Sequence, residues 1–324
     1  MTAPPLTMRA FFDRLRDALQ LVQVEGTDGL DRPIRSPNIS SPGLVLAGYV
    51  ERFPANRIQV FGETEITYLQ TLSSAERRRI LKVFFSFPIP GAVITKGLPP
   101  SKEMVEEAVA AGVALLVSSL KTNDLYGKAK PWLVEEFAPT TNLHGSLADV
   151  FGVGLLFVGR SGIGKSECVL DLVERGHRLV ADDLVLVKRR GGDVLIGRGH
   201  ELQRHYMEIR GVGLVDIPAL FGIRAVRQQK RIEVVVQLED LDTDAAVDRT
   251  GLDADMTVIL DVEVPKVRVP LNPGKNITVI AEVIALNHLL KYSGVDPATR
   301  FNERLKKQMR AATDVRRYLQ EDNE

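Results

Sequence analysis

The chain has no excess of either charge: lysine plus arginine and aspartate plus glutamate number 42 each among 324 residues. No global field draws it to nucleic acid or to an anionic membrane, and neither is expected as a partner. It has a single cysteine, Cys168. That excludes an internal disulfide and fits a reducing compartment. No apolar run approaches the ~18 residues of a membrane-spanning helix. The opening Met1-Thr2-Ala3-Pro4-Pro5 lacks the charged-then-apolar pattern of a secretion signal. No internal repeat is evident. The expectation is a soluble, cytoplasmic protein. Apolar residues are plentiful, at 44%, enough for a core in each of two domains.

The first part of the chain alternates between helical and strand patterns. Leu6, Phe11, Phe12, Leu15 and Leu19 recur at helical spacing. Ser73 with Glu76 offers a capping box for a helix through Phe85, and Ser101 starts an amphipathic helix that Gly112 ends. Residues 21–24, 57–61, 92–95 and 113–117 read as strands. Together these predict a small α/β domain with a partly parallel sheet. It carries no phosphate loop, metal cluster or nucleophile arrangement, so its expected role is assembly or regulation. The polar stretch 121–131 reads as the approach to a boundary, giving domains 1–132 and 133–324. Beyond it come short β-rich segments at 143–150, 153–158, 178–181, 184–188, 194–197, 232–238, 257–260, 266–269 and 277–280. Helices there are few: one after the loop described next, one near 280–292 and a terminal one over 296–320. The terminal helix carries an apolar stripe, Phe301, Leu305, Met309 and Ala312, among many cations. It suits either packing or docking of a protein.

The second domain is organised around Gly159-Arg160-Ser161-Gly162-Ile163-Gly164-Lys165-Ser166. It reads G-x-x-x-x-G-K-S, with an apolar strand before it and a helical pattern after it, the context a phosphate-cradling P-loop requires. Glycines let backbone N–H groups turn to a phosphate, and the helix N-terminus adds positive partial charge. Lys165 can reach the β- and γ-phosphates of a nucleotide, and Ser166 can hold Mg²⁺. Cys168, one turn into that helix, reads as a packed core thiol.

Three further stretches add chemistry. In Gly176-His177-Arg178-Leu179-Val180-Ala181-Asp182-Asp183 an apolar strand ends in two aspartates, where α/β folds face their ligands. One carboxylate there can support Mg²⁺ and the other can take a proton from an attacking hydroxyl. The mundane alternative is an Asx turn. In Met207-Glu208-Ile209-Arg210-Gly211-Val212-Gly213, Glu208 and Arg210 share one face if the segment is extended. Pro270-Leu271-Asn272-Pro273-Gly274-Lys275-Asn276 is a rigid polar loop with one cation, or an ordinary turn between strands.

Taken with His144-Gly145-Ser146-Leu147, Leu220-Phe221-Gly222 and Pro273-Gly274-Lys275-Asn276, these stretches resemble the bacterial HPr kinase/phosphorylase family across the whole second domain. The Glu-Ile-Arg-Gly block is the most specific part of the resemblance. The first domain resembles the family's N-terminal domain in length and pattern. The resemblance implies a P-loop kinase domain with a phosphoenolpyruvate-carboxykinase-like nucleotide site. It implies a homohexameric, bifunctional enzyme that phosphorylates a regulatory serine of the phosphocarrier protein HPr from ATP or pyrophosphate. The same enzyme would remove that phosphate by phosphorolysis, with phosphate consumed and pyrophosphate released. It further implies Asp183 as base and acid, Lys165 and His144 at the transferring group, Ser166 and Glu208 as Mg²⁺ ligands, and Arg249 as an active-site arginine. Residues 207–216 would serve both reactions. Pro270, Leu271, Asn272, Pro273, Gly274 and Lys275 would serve dephosphorylation. The competing expectation is a small-molecule kinase or a carboxykinase-like enzyme. Two residues depart from the family pattern. Arg160 stands where an acidic residue is usual and places an extra cation beside the phosphates, and Lys275 stands where arginine is common.

Overall fold

The computed structural model describes residues 5–201, 203–240, 255–271 and 276–321. The chain divides into two compact units, Met1–Ala138 and Pro139–Glu324.

In the first unit a five-stranded sheet runs in the order Leu21–Gln23, Leu115–Ser118, Ala92–Ile94, Ile58–Phe61, Ile39–Ser40. The last four strands are mutually parallel, and the first pairs antiparallel at the edge. Parallel strands need helical crossovers, and those cover both faces. Val60, Val93 and Leu116 therefore pack under helices Met8–Leu19 and Thr122–Glu136. Their neighbours Phe61, Ala92, Ile94 and Leu115 pack the other way, against Ser74–Phe85 and Lys102–Ala111. The expected capping box at Ser73 and Glu76 is present, and Gly112 closes its helix in left-handed backbone.

Two segments take a different form from their sequence pattern. Residues 121–131, which approach the boundary, are helical from Thr122 onward. They belong to helix Thr122–Glu136, which runs through Pro131 and buries Leu125, Ala129 and Leu133 as one stripe. Its polar exposed face hides that periodicity, and the compact units divide after Ala138 instead. Residues 277–280 are not a strand. Asn276 accepts a hydrogen bond from the Val279 N–H at 3.1 Å and caps helix Ile277–Tyr292. The β-branched run there imitates a strand, but the cap starts a helix.

The second unit stacks two sheets. The larger runs in the order Met256–Ile259, Val262–Leu271, Val234–Asp240, Val153–Val158, Ser146–Val150, Arg178–Ala181. The smaller runs Gln229–Arg231, Val194–Gly199, Leu184–Arg190, Thr140–His144. Along Val153–Val158, Val153, Leu155 and Phe157 face helices Lys165–Glu174 and Ile277–Tyr292, while Leu156 faces Val185, Val187 and Leu195 of the smaller sheet. Burial on both faces explains why this strand reads as an unbroken apolar run. The segment 143–150 is two strands split at Gly145, one in each sheet. A Cβ at Gly145 would lie 2.5 Å from the Phe157 carbonyl oxygen, so only glycine lets the chain cross there.

Strand direction determines where ligands can sit. Val153–Val158, Val234–Asp240 and Val262–Leu271 are parallel, and two antiparallel steps bring Arg178–Ala181 into the same sense. The C-terminal ends of all four strands, and the start of Ser146–Val150, therefore meet at one edge of the sheet. That edge is the ligand crevice of open α/β sheets.

Candidate active site

The P-loop leaves this edge at Val158. Gly159, Gly162 and Gly164 hold φ of 150°, 75° and 101°, backbone that side chains rarely adopt. Gly164 is the N-cap of helix Lys165–Glu174 and contributes no side-chain cap. The first N–H groups of that helix are left to a ligand. Lys165 Nζ donates to the carbonyls of Gly159 at 3.1 Å and Arg160 at 3.0 Å. Both are weak partners that a phosphate oxygen can replace. Ser166 Oγ donates to Asp182 Oδ1 at 3.0 Å, and Ser146 Oγ donates to the same oxygen at 2.5 Å.

Asp182 is largely enclosed, and burial pushes its carboxyl above the ordinary range, against the opposing pull of Ser146 and Ser166. Asp183 differs in every respect. It is exposed, sits in left-handed backbone at φ 62°, and among the described residues makes no ion pair. Its carbonyl accepts the Gly145 N–H at 3.0 Å, while Leu184, next in the chain, pairs with His144 across the ladder. The strand pairing thus brings exposed His144 beside exposed Asp183, at the edge where the P-loop begins.

The Glu-Ile-Arg-Gly block lies on hairpin Tyr206–Ile209 and Gly213–Asp216. Met207 and Ile209 are buried against the P-loop helix, and Glu208 and Arg210 are exposed. The extended segment stops at Ile209, so Glu208 is a strand residue while Arg210 lies in the turn that follows, and the two do not share a strand face. Arg210 reaches the loop: a Cβ built on Gly162 would lie 2.1 Å from its Nη2.

Arg160 does not stand as a free cation beside the phosphates, contrary to expectation. Its Nη2 donates to Asp240 Oδ1 at 2.8 Å and its Nε to the other carboxylate oxygen. This hydrogen-bonded pairing holds the Asp240 carboxyl below its usual range. Asp240 ends the parallel strand beside the P-loop strand, so the pair follows from strand order. Cys168 is buried, and its thiol is pushed up to about 12 by that burial. It is core, as expected. His177 is also structural: its Nε2 meets Glu282 Oε1 at 3.1 Å, and Arg175 grips the same carboxylate at 2.6 and 2.8 Å.

Arg249, Asn272, Pro273, Gly274 and Lys275 lie outside the described residues. Pro270 and Leu271 end their strand opposite Glu239 and Asp240. Sequence reasoning gave no role to Ser146 or Asp240. Ser146 adjoins the His144-Gly145 pair and was open to suspicion. Asp240 carries no local signal.

The fit to a divalent cation rests on donor chemistry. Ser166 and Asp182 already meet, and Glu208 lies on the exposed face of the adjoining hairpin. All are hard oxygen donors, the kind Mg²⁺ takes. Among the described residues no cluster of three or more His, Cys, Asp or Glu side chains could hold a metal alone. That suits an ion which is bound by one or two carboxylates and completed by phosphates. No described helix is long and apolar enough to cross a membrane.

Two family models match the chain: HPr Serine kinase N terminus over residues 6–133 and HPr Serine kinase C-terminal domain over 135–305. The chain is 45% identical to the HPr kinase/phosphorylase of Chloroherpeton thalassium over 312 residues, covering 96% of this chain and 92% of that protein. It is 44% identical to the HPr kinase/phosphorylase of Geobacter sulfurreducens over 305 residues, covering 94% and 96%. The solved structure of the Hpr(Ser) kinase/phosphatase from Coxiella burnetii aligns with 31% identity and a TM-score of 0.44, covering 47% of this chain and 99% of that one. With both of its units matched, and relatives this similar over nearly its full length, the chain belongs to the HPr kinase/phosphorylase family.

Proposed function

We propose that this enzyme transfers the γ-phosphoryl group of ATP to a serine of HPr and reverses the modification by phosphorolysis. The observation that carries the reading is the bond from the P-loop Ser166 to half-buried Asp182, with Asp183 and His144 exposed beside it. The loop N–H groups and Lys165 would bind the phosphates, Lys165 exchanging its carbonyl partners for phosphate oxygens. Asp183 would orient the serine hydroxyl and take its proton as the Oγ–P bond forms. In reverse an oxygen of inorganic phosphate attacks the phosphoserine phosphorus, the serine Oγ leaves with the proton from Asp183, and pyrophosphate is released. Microscopic reversibility requires the same group in both directions. His144 would stabilise charge on the transferring group. Ser166, Asp182 and Glu208 would hold Mg²⁺, which supplies neutralisation of the phosphate oxygens. Arg249 and residues 270–275 keep the roles their family resemblance implies, the former in the active site and the latter in dephosphorylation. The N-terminal unit would serve assembly, in a homohexamer.

The test incubates the protein with HPr and Mg²⁺-ATP, and maps phosphate by mass spectrometry. The product is then treated with inorganic phosphate, and pyrophosphate is assayed. Phosphoserine on HPr followed by pyrophosphate release is expected. Phosphate found only on a small acceptor, or none on HPr, sinks the reading.

A further inference from the structure

Three cations surround the phosphate loop, and they are not equivalent. Lys165 is folded onto two loop carbonyls. Arg160 is bound at both ends of its fork by Asp240. Arg210 has no carboxylate partner among the described residues, and it lies closest to the inner glycine of the loop. An ideal Cβ on Gly162 would sit 2.1, 2.7 and 2.8 Å from its Nη2, Cζ and Nη1. The guanidinium therefore occupies the space that a side chain at 162 would fill.

The placement is built into the chain. Met207 and Ile209 anchor their strand in the core that also contains Cys168, Val169 and Leu172 of the P-loop helix. Arg210 follows directly on Ile209, at the start of the turn to Gly213–Asp216, and its side chain comes to Gly162. The strand pairs residue by residue with Gly213–Asp216, which fixes its register. A cation aimed at a phosphate loop without a counter-ion is stored positive charge. Phosphorolysis brings two phosphates together, each carrying about −1.5 to −2 charges at neutral pH, and a single lysine neutralises little of that. A guanidinium fork matches two oxygens of one phosphate, which an ammonium does not.

We infer that Arg210 is a phosphate-binding residue of the P-loop, taking non-bridging oxygens of the phosphate that the loop cradles, whether inorganic phosphate or the nucleotide's terminal group. This rests on the P-loop reading above and assigns to Arg210 the role that Arg160, held by Asp240, does not fill. Gly162 itself holds φ 75°, which favours glycine there, and leaves room for the guanidinium.

The experiment measures binding of inorganic phosphate and of Mg²⁺-ATP to the full chain by calorimetry, well below the unfolding temperature, for wild type, Arg210→Gln and Arg210→Lys. Unfolding midpoints are recorded without ligand. Arg210→Gln is expected to weaken phosphate binding about tenfold or more, the scale of one lost charge-assisted contact. Arg210→Lys should recover part of that loss, because it keeps the charge and loses the fork. If phosphate binds Arg210→Gln within twofold of wild type, the inference is overturned, and a lowered midpoint with unchanged affinity assigns Arg210 to packing alone. Wild-type protein that binds neither phosphate nor ATP would instead overturn the P-loop reading itself.

Discussion

Each unit holds a charged, non-glycine residue in left-handed backbone just after a strand of its main sheet: Lys96 at φ 61°, after a strand parallel to its neighbours, and Asp183 at φ 62°, after a strand paired antiparallel. The local geometry is nearly the same, and the use made of it is opposite. The Lys96 N–H donates to the Leu120 carbonyl at 2.8 Å, and its ammonium is bonded to Glu63. Nearby Thr95 is buried and bonded to the Phe61 carbonyl and to Thr122. There the ammonium of Lys96 and the hydroxyl of Thr95 each have a partner inside the unit. At the other, Asp182 is held between two hydroxyls, while Asp183 and His144 remain exposed and without ion pairs among the described residues. Strand ends in left-handed backbone are common enough in α/β folds. A reactive edge arises where the charge is left without an internal partner and a phosphate loop lies alongside.

That contrast can be broken experimentally, most severely at Asp183. Asp183→Asn should lower the rate in both directions by about 10²–10⁴-fold, the scale of one general base, while nucleotide binding measured by calorimetry persists. If this variant transferred phosphate normally, Asp183 would be no different in kind from Lys96. Asp182→Asn should weaken Mg²⁺-dependent ATP binding by about 10- to 100-fold, with binding in EDTA much less affected. An equal loss with and without Mg²⁺ would separate Asp182 from the cation.

Asp182 also has a pH signature. Burial raises its folded-state pKa above the unfolded value. The unfolded chain therefore releases this proton first, and the contribution of Asp182 to stability falls as pH rises from the unfolded value through the folded one. Thermal unfolding of wild type and Asp182→Asn across that acidic window should show a smaller decline in the variant. A decline as steep in the variant would assign the pH dependence elsewhere.

Asp240→Asn should free Arg160 and tighten inorganic phosphate binding by less than about fivefold, the scale of an exposed ion pair. Weaker binding in that variant would mean the Arg160–Asp240 pair shapes the loop. Smallest of all is Lys96→Gln. It should leave both reactions unchanged and shift the unfolding midpoint by less than about 2 °C. A loss of activity there would place the first unit inside the chemistry.

Much of this was legible in the chain. The P-loop motif, its helix, the Asp182–Asp183 strand end and the exposure of Glu208 and Arg210 are local patterns, decided by spacing within a few residues. The alternating α/β order of the first unit is equally local. Misreadings fell where local signals conflict with packing. A polar face disguised helix Thr122–Glu136, and a β-branched run disguised the first turn of Ile277–Tyr292. Arg160 was misjudged for a different reason: its partner, Asp240, is 80 positions away.

The sequence by itself determined a loop of phosphate-cradling form, because the glycines, a helix N-terminus and a lysine are encoded within eight consecutive residues, 159–166. Which charges face that loop was decided only by tertiary structure. Antiparallel pairing set His144 beside Asp183, parallel pairing set Asp240 against Arg160, and a hairpin carried Arg210 onto Gly162. Such pairings depend on strand order and register, which no single segment contains, and they determine whether a charge is spent on the fold or left for the substrate.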